Sequence, residues 1–93
     1  MIERRIVRFF GRVQGVGFRY AVEALGQRHT RIAGSVFNER DHVTVDVEGE
    51  AADVDTFIDE ILQSLPSGAR VESKVAVVAP IRGHIGFAVG QTR

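Results

Sequence analysis

Hydrophobic and polar positions along the 93 residues repeat with two different periods, and the switches between them mark the elements. From Arg5 to Val13 the period is two. Val7, Phe9, Gly11 and Val13 share one face, with Arg8 and Arg12 on the other beside Ile6 and Phe10, as in a half-buried strand. From Phe18 to His29 the period lengthens, and Phe18, Val22, Leu25 and His29 fall at helical spacing. Ile32 to Phe37 reads as a second strand ending at Asn38. After the polar turn Asn38-Glu39-Arg40-Asp41, a third strand alternates strictly, with Val43, Val45 and Val47 inward and Thr44, Asp46 and Glu48 outward.

A second helix is predicted from about Ala52 to Leu65, with Val54, Phe57, Ile58, Ile61, Leu62 and Leu65 as its apolar stripe. Asp53 and Asp55 fall in its first turn, where the helix dipole favours negative charge, and Pro66-Ser67-Gly68 ends it. Arg70 to Val78 reads as a fourth strand, and Phe87-Ala88-Val89 as a short stretch pairing at a sheet edge. The order is β-α-β-β-α-β. With right-handed crossovers it predicts an α+β, ferredoxin-like sandwich, an antiparallel sheet backed by two helices, in one domain over residues 1–93. Many unrelated functions share that arrangement, so function has to be read from a site.

Composition narrows the classes. With 44% hydrophobic and 26% charged residues the chain is an ordinary globular one. No apolar run approaches the roughly 20 residues of a membrane span, and Met1 opens no signal-peptide pattern. The absence of cysteine excludes disulfides and thiolate chemistry and makes the cytoplasm the expected location. The net charge of zero conceals an asymmetry. Residues 1–40 carry eight arginines against Glu3, Glu23 and Glu39, a net of +5, and residues 41–93 balance it at −5. Eleven of the twelve basic residues are arginine, the residue best shaped for bidentate contact with an oxyanion.

Candidate chemistry concentrates at the junction Gly11-Arg12-Val13-Gln14-Gly15-Val16-Gly17-Phe18-Arg19, between the first strand and the first helix. A strand feeding a glycine-rich turn and a helix start gathers backbone N–H groups in one concavity, and the helix dipole adds to their attraction for an anion. Arg19, in the first helical turn, can return its guanidinium over the same concavity. Tyr20 stands where a dinucleotide fingerprint needs its third glycine. No Lys-Ser or Lys-Thr pair follows, so a nucleotide P-loop is excluded. A tight turn beside an ordinary surface arginine fits the same spacing.

The whole string resembles the signature of the acylphosphatase family, Gly-x-Val-Gln-Gly-Val-x-Phe-Arg, at every fixed position from Gly11 to Arg19. A second family motif, Gly-aromatic-Val-x-Asn, is partly matched by Gly34-Ser35-Val36-Phe37-Asn38. From composition and patterning, a cytoplasmic monomer with no nucleic-acid or membrane partner is the default expectation. The resemblance implies hydrolysis of an acyl phosphate to a carboxylate and inorganic phosphate, with no cofactor and no metal. It implies that Gln14, Gly15, Val16, Gly17, Phe18 and Arg19 hold the phosphate, that Arg19 and Asn38 are catalytic, and that Asn38 orients the attacking water. Three departures surround Asn38. Ser35 replaces an aromatic residue, Phe37 replaces a polar one, and the turn after Asn38 is one residue short, lacking the family's glycine. Looser packing around Asn38 is therefore expected.

The alternative is a binding or relay module for a phosphorylated small molecule, as in the related domain of larger carbamoyl-transferring proteins. The chain ends at Arg93 without a further catalytic region, which favours the free-standing enzyme. RNA binding by the sheet is disfavoured, because the third strand has no aromatic residue and carries Asp46 and Glu48. His29, His42 and His84 lack metal-ligand spacing and read as surface or turn histidines, with His29 suited to a helix C-terminus. Asp53, Asp55, Asp59 and Glu60 read as the solvated face of the second helix. Phe9, Phe18, Phe57 and Phe87 and the valine-rich strands are expected in the core, with Phe10, Tyr20 and Phe37 partly exposed.

Overall fold

The computed structural model describes residues 1–89, so Arg93, which enters the charge balance above, lies outside them. Seven elements follow in order: β1 (Ile2–Arg12), α1 (Phe18–Arg28), β2 (Ile32–Asn38), β3 (Val43–Glu50), α2 (Ala51–Gln63), β4 (Arg70–Ala79) and β5 (Phe87–Val89). The strands form one sheet in the order β4-β1-β3-β2-β5. The first four pair antiparallel, and β5 adds to β2 in parallel. This is the ferredoxin-like arrangement the periodicity predicts, with the short fifth strand at the edge.

Both helices lie on one face of the sheet and bury the predicted stripes. Val7, Phe9, Val36, Val43, Val45 and Val47 from the sheet meet Phe18, Val22 and Leu25 of α1 and Val54, Phe57, Ile58 and Ile61 of α2. Each such side chain contributes about 1.5–3 kcal/mol by leaving water. Phe87 of β5 closes the far side of this core, edge-on to Phe57 with ring centroids 5.3 Å apart.

Several of the sequence expectations about burial need correction. β4 is valine-rich but not core: Val75, Val77 and Val78 are exposed, Val78 by 70%. The strand lies at the sheet edge, outside the width that the two helices cover. Conversely, Thr44, Asp46 and Glu48 face away from the helices, as alternation requires, yet all three are buried. Phe37, also expected to be partly exposed, is buried on that face, opposite Thr44.

The chain from Pro80 to Gly86 explains most of this burial. Glu48 accepts hydrogen bonds from the backbone N–H groups of Arg82 (3.0 Å), Gly83 (3.0 Å) and His84 (2.9 Å). Asp46 accepts two from Arg4, at 2.9 and 2.8 Å, and faces His84 Nε2 at 3.1 Å. The segment is thereby strapped across the back of the sheet. The same contacts explain why β1 starts at Ile2 rather than Arg5. Its polar first residues pair with Glu48–Glu50, and Arg4 anchors on Asp46.

The histidines are likewise less exposed than surface positions would be. His29 caps α1, lies edge-on to Phe57 and sits 3.1 Å from Glu60, while His42 packs on Phe10 and pairs with Asp41. The α2 acids are only partly a solvated face, because Asp55 is hydrogen-bonded to Arg5 and Glu60 to His29. Since α2 begins at Ala51, Asp53 remains in its first turn and Asp55 falls just beyond.

Burial pushes the Asp46 carboxyl up, but its bonds to Arg4 and His84 outweigh that and hold it below the ordinary carboxylate value. For Glu48, burial is likewise outweighed by the N–H groups of His84, Gly83 and Arg82. Groups lowered in the folded state stabilise it above the unfolded-state pKa, and that contribution is lost as pH falls through the folded-state values. Urea midpoints of the wild type should therefore fall on acidification below about pH 4, with a flatter response in Glu48→Gln. Asp46→Ala strands Arg4 without its counter-charge and should cost about 3 kcal/mol at neutral pH. An unchanged midpoint in Asp46→Ala would show that the buried Arg4–Asp46 pair adds nothing to stability.

Candidate active site

Residues 13–17 join β1 to α1, and the loop is held at both ends by core side chains. Val13 and Phe18 are 2% and 1% exposed, and the Phe18 ring packs edge-on against Phe9 at 5.4 Å. Just before the loop, β1 slips register against β4 between Phe10 and Gly11, a bulge of the kind that re-aims a strand end. Between the anchors, Gly15 and Gly17 adopt φ of 71° and 81°, the left-handed region that costs other residues about 1–2 kcal/mol. A Cβ at either glycine would point into open space. The backbone therefore curls around a hollow that no side chain of its own fills.

That hollow faces the start of α1. Gly17 is the N-cap, offers no side chain to the first-turn N–H groups, and no acidic residue follows in that turn. Instead the turn carries Arg19, so a positive side chain is added to the positive end of the helix dipole. The same turn of α2 shows the usual solution, with Asp53 in place. Uncapped amides, the dipole and a guanidinium together make a site for an anion.

Val13, Gly15, Gly17, Phe18, Arg19, Tyr20 and Asn38 line a cavity of about 340 Å³ here. Of the residues expected to hold phosphate or act on it, Gly15, Gly17, Phe18, Arg19 and Asn38 are thus brought together. Gln14 and Val16 are in the loop but turn their side chains elsewhere. Val16 packs against the core. The Gln14 amide donates from Nε2 to the carbonyls of Glu39 (2.6 Å) and His42 (2.9 Å), bracing the β2–β3 turn against the loop.

Asn38, the last residue of β2, pairs with Val43 and follows the buried Val36 to the helix side of the sheet. Its Oδ1 is buried and makes no hydrogen bond among the described residues. A buried acceptor without a partner costs on the order of 1–3 kcal/mol.

The departures around Asn38 do not loosen it. Ser35 lies across from Asp46, away from the cavity, and Phe37 points to the opposite face. The missing glycine is not needed either. No non-glycine residue among those described has positive φ, and the four-residue turn 39–42 closes by Glu39 N–H donating to His42 O at 2.8 Å. Gln14 braces the two carbonyls from outside. What sequence reasoning missed was Tyr20, whose hydroxyl accepts from Arg19 Nη2 at 3.2 Å while the guanidinium lies 5.0 Å from its ring centre. Its only sequence signal is adjacency to Arg19.

A larger cleft, about 520 Å³, lies at the opposite end of β2 and includes His29, Arg31, Glu48 and His84. Its carboxylate and both histidines are already engaged within the protein. No cluster of three or more His, Asp or Glu side chains among the described residues is placed to hold a metal. No helix among them is long and apolar enough to cross a membrane.

The fold and this cavity define a small α+β protein whose first helix starts uncapped, with Arg19 in its first turn, beside an open cavity. A family model for acylphosphatase matches residues 5–89. An acylphosphatase of Staphylococcus aureus is 38% identical over 64 residues, covering 69% of this chain and 71% of its own. Among solved structures, the acylphosphatase of Bacillus subtilis superposes with a TM-score of 0.82 at 29% identity, covering 97% of this chain and 99% of its own. Full-length HypF in a phosphate- and nucleotide-bound form superposes with a TM-score of 0.90 at 31% identity, but this chain spans only 12% of it. The chain belongs to the acylphosphatase family, and its reaction is hydrolysis of acyl phosphates.

If the Gln14 brace holds the loop against the turn that carries Asn38, Gln14→Ala should weaken inorganic phosphate as a competitive inhibitor by no more than about three-fold. Turnover should fall at least ten-fold, with the urea midpoint nearly unchanged. Equal loss of turnover and stability would make Gln14 a general folding residue.

Proposed function

We propose that the 14–19 loop holds the phosphoryl group of an acyl phosphate and that Arg19 and Asn38 perform the hydrolysis. The observation that carries this is the convergence of the two outward-curled glycines, the uncapped start of α1, Arg19 and the unpartnered Asn38 Oδ1 on one cavity. The loop amides and the Arg19 guanidinium take the non-bridging phosphate oxygens. They are fixed before substrate arrives, so the charge that builds up on those oxygens meets donors already in position. Asn38 Oδ1 accepts a hydrogen bond from a water molecule and turns a lone pair of its oxygen toward phosphorus, opposite the leaving carboxylate.

The water oxygen bonds to phosphorus as the phosphorus–oxygen bond to the acyl group breaks. The electron pair leaves with the carboxylate, and the water proton passes to a phosphate oxygen. A carboxylate is a good leaving group, so no side-chain acid is required. Roles for Gln14 and Val16 are confined to backbone contacts and loop shape, since their side chains are committed elsewhere. The groups invoked all lie within residues 14–38 around one cavity, so one domain acting as a monomer suffices for the reaction, and the lack of cysteine fits the cytoplasm. A purely binding role is not favoured, because the family model and the relatives it matches are acylphosphatases.

Release of inorganic phosphate from an acyl phosphate without added metal should vanish in Arg19→Ala, together with inhibition by free phosphate. Asn38→Ala should lose turnover by 100-fold or more while phosphate inhibition stays within a few-fold. Parallel loss of both in Asn38→Ala would make it a structural residue, and turnover surviving in Arg19→Ala would remove the cradle.

A further inference from the structure

We propose that Tyr20 is the residue that reads the acyl group, so that acyl phosphates with a flat, apolar acyl group are hydrolysed in preference to acetyl phosphate. This rests on the cavity being the acyl phosphate site. An acyl group is joined to phosphorus through a single bridging oxygen, so it begins within a few bond lengths of the bound phosphate. It cannot lie on the loop side, where backbone amides face the anion. It cannot enter the floor, because Val13 and Phe18 are closed into the core. Arg19 and Asn38 are polar and are engaged with phosphate and water. The remaining lining side chain is Tyr20, which is 61% exposed and presents aromatic surface at the mouth of the cavity.

An exposed aromatic residue alone says little. Here its placement is fixed by a second set of contacts. Arg19 donates to the Tyr20 hydroxyl at 3.2 Å and lies 5.0 Å from the ring centre, so guanidinium and ring are held as one unit. A phosphate gripped by that guanidinium therefore brings its acyl substituent beside the ring. Aromatic contact of this kind discriminates by about three- to ten-fold between a flat acyl group and a methyl group that barely reaches it.

The test is the ratio of kcat/KM for benzoyl phosphate to that for acetyl phosphate in wild type, Tyr20→Ala and Tyr20→Phe. The exposed position makes either variant compatible with folding. The wild type should favour benzoyl phosphate, and Tyr20→Ala should lower the ratio by about five-fold, mainly through KM for the aryl substrate. Tyr20→Phe, which keeps the ring and loses the hydroxyl, should retain the ratio. An unchanged ratio in Tyr20→Ala would overturn the proposal while leaving the hydrolase reading intact. So would a loss in Tyr20→Phe as large as in Tyr20→Ala, because the hydroxyl and its hold on Arg19 would then be responsible. Turnover of neither substrate by the wild type would overturn both readings.

Discussion

Two buried side chains, Val13 and Phe18, hold the ends of a loop that has nothing of its own to fill it, and the site depends on that suspension. Both are anchored in the core between sheet and helices, so the loop amides are placed by the packing of the whole domain rather than by local contacts. A loop collapsed on itself would satisfy its N–H groups internally and leave none for an anion. The glycines prevent this by curling outward, and the missing cap and acid at the start of α1 leave the dipole uncompensated. With glycine as the cap the protein gives up about a few tenths of a kcal/mol of helix-start stabilisation there, and in the proposed reaction the phosphoryl group supplies the missing charge.

The same economy of charge appears on the opposite face in reverse. There the carboxylates of Asp46 and Glu48 are buried, and the chain supplies donors from Arg4, His84 and the backbone of residues 82–84. One end of the sheet thus leaves a helix start uncapped, while on its back the carboxylates of Asp46 and Glu48 are both supplied with donors. The β2–β3 unit links the two, since Asn38 terminates one of its strands at the cavity and Glu48 lies near the far end of the other, beneath the strap. Stability and chemistry are drawn from separate charged groups, so a substitution in one set is readable without disturbing the other.

How much of this is legible in the sequence follows from the range of each interaction. The elements and their order were legible because two-fold and helical periodicity report burial on one face, and the Gly11–Arg19 string specifies a local loop. The place of Asn38 at the end of the second strand was legible from the strand pattern and the polar turn after it. What periodicity could not show was the covering of Asp46 and Glu48, because the strap from Pro80 to Gly86 has no regular pattern and its contacts span more than 30 residues. β4 misled for a related reason: its valines satisfy a strand pattern, but exposure depends on which strands the helices reach. The Gln14 brace was equally hidden, since a side-chain amide bonded to two carbonyls across the fold leaves no spacing signal.

The central claim is that backbone amides at the start of α1 bind the phosphoryl group. The most direct test follows backbone amide resonances of the wild-type protein by two-dimensional NMR during titration with inorganic phosphate. The account predicts that the largest shifts, saturating together, fall on Gly15 through Arg19. Amides of Arg82, Gly83 and His84, already bonded to Glu48, should stay in place. Largest shifts in the cleft at residues 29–33, or none in the 15–19 loop at saturating phosphate, would contradict it.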